Sequence, residues 1–140
     1  MIKIAFVCTG NTCRSIMAER ILKKLINQDK SIKVSSRGIY ATGENISSLA
    51  KKVLKDHHIS SANRKSVKLG KIDKNILYVV MNNQMKKFIP GGKVISFEDL
   101  IAEGVADPYG CDEQAYQLTF NQLLKGINIL LEKINEWRVK

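Results

Sequence analysis

"FVCTGNTCRSIMAE", residues 6 to 19, passes from an apolar stretch through a short polar turn into a helical pattern. A buried strand, a tight turn and a helix start in succession announce an open α/β sheet, in which ligands bind beyond the carboxyl ends of strands. The turn carries two thiols (Cys8 and Cys13), a glycine (Gly10) and a guanidinium (Arg14). Backbone N–H groups at a helix N-terminus converge on a point and favour an anion there. Gly10 permits the tight curvature, and Asn11 tolerates left-handed dihedrals better than most residues. Arg14 adds a planar fork suited to two oxygens of a phosphate-like group. A thiol in such positive surroundings ionises more readily, so Cys8, at the strand's end, is expected to be a nucleophile. The turn lacks the G-x4-G-K-[ST] spacing of a Walker loop.

The rest of the chain repeats the strand–helix alternation. "IKIAFVC" (2–8) is an apolar, β-branched run of the kind buried in parallel sheets. From Ile16, the residues Met17, Ile21, Leu22 and Leu25 mark a helical face that ends near "NQDK". "IKVSSRG" reads as a second strand stopped by Gly38, and Ser47 or Ser48 is expected to cap a helix through "LAKKVLKDHH". "NILYVVM" is a third strand, followed by a short helix around "NQMKKF" that Pro90 and Gly91-Gly92 end; "KVISF" is a fourth strand. At the C-terminal end Tyr116, Phe120, Leu123, Ile127, Leu130, Ile134 and Trp137 recur at alternating steps of four and three. That stripe predicts one long helix with all seven residues in the core, Trp137 included. These elements amount to one domain over residues 1–140, with no repeats, linkers or low-complexity tracts.

Composition narrows the function classes. No apolar run approaches the ~20 residues of a membrane span, and the first residues lack the form of a secretory signal, so a cytoplasmic protein with no membrane partner is expected. Cys8, Cys13 and Cys111 are an odd count without framework spacing, which fits reduced thiols. The only histidines, His57 and His58, are adjacent and are expected at the exposed end of a helix; no paired C-x-x-C motif accompanies them, so no metal is expected. The 23 Lys and Arg against 13 Asp and Glu, a net charge of +10, favour anionic partners. The lysines are scattered singly and in pairs with few aromatics between them, a pattern of solvated helix faces and not of a nucleic-acid stripe.

Cys8-Thr9-Gly10-Asn11-Thr12-Cys13-Arg14-Ser15, together with Met17-Ala18-Glu19, resembles the C-x5-R-S phosphate loop of the low-molecular-weight protein tyrosine phosphatases. Asp107-Pro108-Tyr109, about a hundred residues later, is similar to the second mark of that family, and "SSRG" and the long last helix extend the likeness over the whole chain. The resemblance implies a three-layer fold, a four-stranded parallel sheet in the order 2-1-3-4 with helices on both faces. It implies that Cys8 attacks phosphorus to form a phosphocysteine, while Arg14 and the amides of Thr9 to Ser15 hold the phosphoryl oxygens. Asp107 would protonate the leaving group and then activate water, Ser15 would hydrogen-bond the sulfur, and Asn11 would hold the loop in shape. Tyr40 and Tyr109 are the candidates for the pocket walls. The reaction needs no cofactor; phosphorylated proteins are the partners, inorganic phosphate is the product, and a monomer is expected.

Relatives acting on phosphotyrosine usually carry a bulky aliphatic residue at the position of Thr12, whereas those acting on phosphoarginine carry threonine in the same string "CTGNTCRS". The glycine after Tyr109 also resembles the phosphoarginine branch. A protein-arginine phosphatase is therefore expected first and a tyrosine phosphatase second. An arsenate reductase with a similar loop needs two further downstream cysteines, and residues 14 to 110 contain none. A phosphoprotein-binding module without turnover has no need of both Cys8 and Asp107. Ile16 stands where the family has proline, a departure expected to loosen the loop slightly. Asn82-Asn83 stand where many relatives have an aspartate that supports the loop. Cys13, five positions from Cys8, is a candidate for a reversible disulfide with it.

Overall fold

The apolar run Ile2–Cys8 forms β1, and every residue from Ile4 to Cys8 is buried. Consecutive strand residues point to opposite faces, so burial of Ala5, Phe6 and Val7 alike means that both faces of the sheet are covered. In the computed structural model, which describes residues 1–61 and 63–139, β1 pairs in parallel with β2 (Ile32–Gly38) on one side and β3 (Leu77–Val80) on the other. β4 (Lys93–Ser96) extends the sheet beyond β3, giving the order β2-β1-β3-β4, as the resemblance implied.

Helix α1 (Arg14–Ile26) begins two residues before the first apolar position of its pattern, so the phosphate-loop sequence runs directly into it. α2 (Ser48–Asp56) is capped by Ser47, whose hydroxyl accepts from the Ala50 amide. "NQMKKF" forms a 3-10 helix capped by the Asn82 side chain. The reading of "KVISF" as one strand is corrected: β4 stops at Ser96, which caps α3 (Phe97–Ile101) in a capping box with Asp99. Phe97 turns inward instead of continuing the strand, and its ring stacks on Phe6 at 6.3 Å. Gly126 makes room for that ring, since a Cβ there would lie 2.4 Å from Phe97.

α4 (Glu113–Val139) is the long helix, and Tyr116, Phe120, Leu123, Ile127, Leu130 and Ile134 are all buried. Trp137 departs from the expected core position at 42% exposure. The stripe keeps its period, but by residue 137 the helix has reached the amino-terminal end of the sheet, where Trp137 lies over Ile2 and Leu77 at a shallow cleft. His57 ends α2 and stacks on Phe120 at 4.0 Å, with His58 exposed beside it, as expected. No helix among the described residues is long and apolar enough to cross a membrane.

The loop end of the sheet depends on one close approach. Cys8 pairs with Gly38 across β1 and β2, and a Cβ on Gly38 would sit 2.7 Å from the Gly10 carbonyl carbon and 2.8 Å from the Asn11 nitrogen. Only glycine lets β2 end against the back of the turn. Fully burying a side chain such as Phe6 or Ile16 contributes roughly 1.5–3 kcal/mol, and these two lie on either side of the turn and anchor it from beneath.

Candidate active site

The turn after β1 places a sulfur, a guanidinium and free amides around one point. The N-cap residue of α1, Cys13, makes no side-chain cap, and the first-turn amides have no intrahelical acceptor. Asn11 adopts the left-handed conformation (φ 57°) expected of it. Its amide donates to Cys8 Sγ at 3.2 Å, and Ser15 Oγ lies 2.9 Å from the same sulfur. Ser15 Oγ already accepts from Asn11 Nδ2 at 2.7 Å, which leaves the serine's own proton for the sulfur. Both groups lie within hydrogen-bond distance of the sulfur.

Asn11 is the hub that holds this geometry. Its Nδ2 donates to Ser15 and to Ser36 Oγ (3.0 Å), and its Oδ1 accepts from the Val67 amide (2.9 Å) and Arg64 Nη1 (3.2 Å). Behind it Glu19, almost fully buried, accepts from Ser36 Oγ (2.7 Å), Arg64 Nη2 (3.0 Å) and Lys23 Nζ (3.1 Å). Burial pushes the Glu19 carboxyl up, but the Ser36 hydroxyl and the charges of Lys23 and Arg64 outweigh it and hold the group below its ordinary value. An ionised carboxylate is thus fixed under the loop. Glu19 and Ser36 lie inside motifs quoted from the sequence, but Arg64 was missed. It sits in "SANRKSVKLG", which has no periodicity, and its partners are 28 to 53 positions away.

A cleft of about 320 Å³ opens over the turn. Cys8, Thr9, Gly10, Thr12, Cys13 and Arg14 line its floor, Asp107 and Tyr109 line its wall, and Glu44, Asn45 and Ser47 complete the rim. Arg14 is buried and donates Nη1 to the Val105 carbonyl at 3.1 Å, while Nη2 lies 3.6 Å from Asp107 Oδ2. The Asp107 side chain is 54% exposed and its Oδ1 accepts from the Tyr109 amide, so the carboxylate overlooks the cleft from a short turn. Asn11 and Ser15 support the floor from behind.

Tyr109 stands on the cleft wall at 75% exposure. Tyr40 differs from expectation. Its amide binds the Thr9 carbonyl (2.9 Å), but its exposed ring meets Phe88 edge-on at 6.2 Å and does not line this cleft. Cys13 is buried with its thiol 3.4 Å from the Tyr116 hydroxyl and 3.6 Å from Thr12 Oγ1. Burial pushes the Cys13 thiol up, and burial with the neighbouring thiol pushes Tyr116 up to about 12. Tyr116 is bonded in turn by Ser47 Oγ at 2.9 Å, and the Ser47 amide donates to the Thr12 carbonyl at 3.0 Å. The sequence pattern marked Tyr116 only as core; its hydroxyl contacts become visible only when α4 and α2 meet behind the turn. Cys111 is exposed in the turn after Asp107. Asn82 and Asn83 serve the 3-10 helix and α3 through Met85, Ser96 and Glu98.

Three likenesses agree with this geometry. The chain is 34% identical over 143 residues to the protein-arginine-phosphatase of Geobacillus stearothermophilus, covering 94% of this chain and 95% of that one. It is 32% identical over 130 residues to the low molecular weight protein-tyrosine-phosphatase PtpB of Staphylococcus haemolyticus, covering 87% and 92%. It superposes on a solved structure of a YwlE arginine phosphatase mutant with a phosphorylated active-site serine, with a TM-score of 0.83 and 27% identity over 96% of each chain. With residues 3–140 matching the family as a whole, this chain belongs to the low molecular weight phosphotyrosine protein phosphatases.

Proposed function

We propose that this protein hydrolyses phosphoarginine on other proteins through a phosphocysteine formed on Cys8. The phosphoryl group sits on the first-turn amides of α1 with two oxygens on the Arg14 fork. Cys8 sulfur attacks phosphorus in line with the bond to the guanidino nitrogen, that P–N bond breaks, and Asp107 gives its proton to the departing nitrogen. Water then attacks the phosphocysteine, Asp107 takes the proton back, and the S–P bond breaks to release inorganic phosphate. Ser15 and the Asn11 amide receive the negative charge returning to sulfur.

The observation that carries the arginine reading is Thr12 on the cleft floor beside Cys8 and Arg14. Its hydroxyl suits a polar P–N linkage, whereas a large aliphatic group there would suit an aromatic ring. The relative from Geobacillus stearothermophilus named protein-arginine-phosphatase supports the same choice. A phosphotyrosine reading draws support from the exposed Tyr109 ring on the wall, against which a phenyl group would pack. Matched peptides decide between them: phosphoarginine is expected to be cleaved far faster than phosphotyrosine, and Thr12→Ile to reverse the order. Equal or better turnover of phosphotyrosine by the unaltered protein contradicts the arginine reading.

We further propose a cytoplasmic, monomeric enzyme in which Cys13 guards the nucleophile. Peroxide converts the Cys8 thiolate to a sulfenic acid; the Cys13 thiol attacks it, expelling water and leaving a Cys8–Cys13 disulfide that thiols reduce. Mass spectrometry of peroxide-inactivated protein is expected to find that bond, and Cys13→Ala to lose recoverability. Full recovery of Cys13→Ala by thiol contradicts the guard role.

A further inference from the structure

Glu44 is out of place in a phosphate site. The cleft floor is built to attract a phosphoryl anion, yet a carboxylate lines the same cleft, and its charge opposes that anion. Glu44 is exposed, but its carboxylate is held. Ser66, itself buried, accepts from the Gly43 amide (3.1 Å) and the Glu44 amide (2.9 Å), and its hydroxyl donates to Glu44 Oε1 at 2.8 Å. The Thr42 amide donates to the same oxygen at 2.8 Å, and the Ser66 amide binds the Glu44 carbonyl at 2.7 Å. Gly43, with φ of 85°, makes the turn that brings these groups together. The carboxylate is thus set in one position by Thr42 and Ser66, while among the described residues no cation lies within ion-pair distance of it. In a chain of net charge +10, an unpaired and firmly held anion at a binding cleft awaits a cation from outside.

We propose that Glu44 is a specificity-determining residue that accepts a guanidinium of the substrate while the phosphoryl group occupies the loop. The proposal rests on the phosphoarginine reading, because the phosphorylated side chain itself then brings phosphate and guanidinium within one residue's reach. The Thr42 amide and the Ser66 hydroxyl hold the Glu44 carboxyl down at about 2, so it stays ionised throughout the working range of the enzyme. An exposed carboxylate that lines the cleft and has no ion-pair partner binds a planar N–H donor well. It repels a substrate that offers only an anionic phosphate, and so selects by disfavouring the wrong ligand as well as holding the right one. An arginine flanking another phosphorylated residue carries the same chemistry, and substrate design separates the two sources.

The test is steady-state kinetics of Glu44→Gln and Ser66→Ala on four substrates. These are a phosphoarginine peptide flanked by alanines, a phosphotyrosine peptide flanked by alanines, the same phosphotyrosine peptide flanked by arginines, and para-nitrophenyl phosphate. Glu44→Gln is expected to raise KM for the phosphoarginine peptide about tenfold with little change in kcat, the loss of one charge-assisted hydrogen bond. It is expected to improve kcat/KM for para-nitrophenyl phosphate and the alanine-flanked phosphotyrosine peptide, which lose a repulsion. Ser66→Ala, which frees the carboxylate without removing it, is expected to give a smaller effect of the same sign on phosphoarginine KM. If Glu44→Gln lowers all four substrates alike, or leaves phosphoarginine untouched, Glu44 is a structural residue and the proposal is wrong. If the unaltered enzyme cleaves phosphoarginine poorly, but Glu44→Gln weakens only the arginine-flanked phosphotyrosine peptide, the phosphoarginine reading fails while guanidinium recognition by Glu44 stands.

Discussion

In the proposed reaction the turn Cys8–Ser15 and the segment around Asp107 supply the two halves, and their side chains are held to different degrees. In the turn, Asn11, Arg14 and Ser15 are buried, and the Asn11 side chain makes four hydrogen bonds, one to Ser15 within the turn and three to β2 and the segment that carries Arg64 and Val67. Asp107 is half exposed. Its segment is anchored to α4 through Ala106, whose amide donates to Gln122 and whose carbonyl accepts from Thr119, but the carboxylate itself meets only the Tyr109 amide and, at 3.6 Å, Arg14. Preorganisation is therefore spent where charge develops on phosphorus and sulfur. In the proposed role as acid, Asp107 needs only to meet a leaving group whose shape varies, and a lightly tethered carboxylate suits that purpose. Arg14 joins the halves, since one nitrogen holds the Val105 carbonyl and the other faces Asp107.

Three changes break this contrast at successive depths. Cys8→Ser removes the nucleophile but keeps the Ser15 contact, and turnover is expected to fall at least about 10⁴-fold with the fold and phosphate affinity intact. Rapid-quench kinetics and phosphate titration followed by calorimetry check both halves of that statement. Asp107→Asn leaves the turn undisturbed and removes only the proton donor, for a loss of about 10²-fold. The loss is expected to be smaller for para-nitrophenyl phosphate, whose leaving group needs less help, than for a peptide substrate, and a leaving-group series measures that difference. Glu19→Gln acts furthest from the chemistry and is expected to cost about 1–3 kcal/mol of stability at neutral pH by weakening the Ser36 and Arg64 bonds. Glu19 sits below its ordinary value of 4.5 in the folded protein. Its contribution is therefore complete above that value and disappears as pH falls through the lower folded value. Denaturant unfolding from pH 7 down to pH 3 is expected to show a shallower acid decline for the variant than for the unaltered protein.

The same contrast explains what could be read without coordinates. The turn is contiguous, so Cys8, Gly10, Asn11, Arg14 and Ser15 are visible as one string, and the strand and helix around it follow from local periodicity. Asp107 is legible only through the resemblance. Arg64, Ser66 and Tyr116 reach the site across tens of residues, and nothing in their own neighbourhoods marks them. α3 had a local signature, Ser96 to Asp99, but it followed a strand so closely that the aromatic Phe97 read as more strand. Trp137 obeys the helical period, which reports the face a residue shares and not how far the sheet extends beneath it. Tyr40 was placed by analogy with the wall position, and its ring turns to Phe88 instead.

The proposed preference for phosphoarginine rests on the cleft floor that carries Thr12. The most direct measurement is kcat/KM on phosphoarginine and phosphotyrosine peptides of otherwise identical sequence, for the unaltered protein and for Thr12→Ile, with Cys8→Ser as the blank. A large preference for phosphoarginine that Thr12→Ile reverses is expected. A preference for phosphotyrosine in the unaltered protein, or a ratio that Thr12→Ile leaves unmoved, contradicts it.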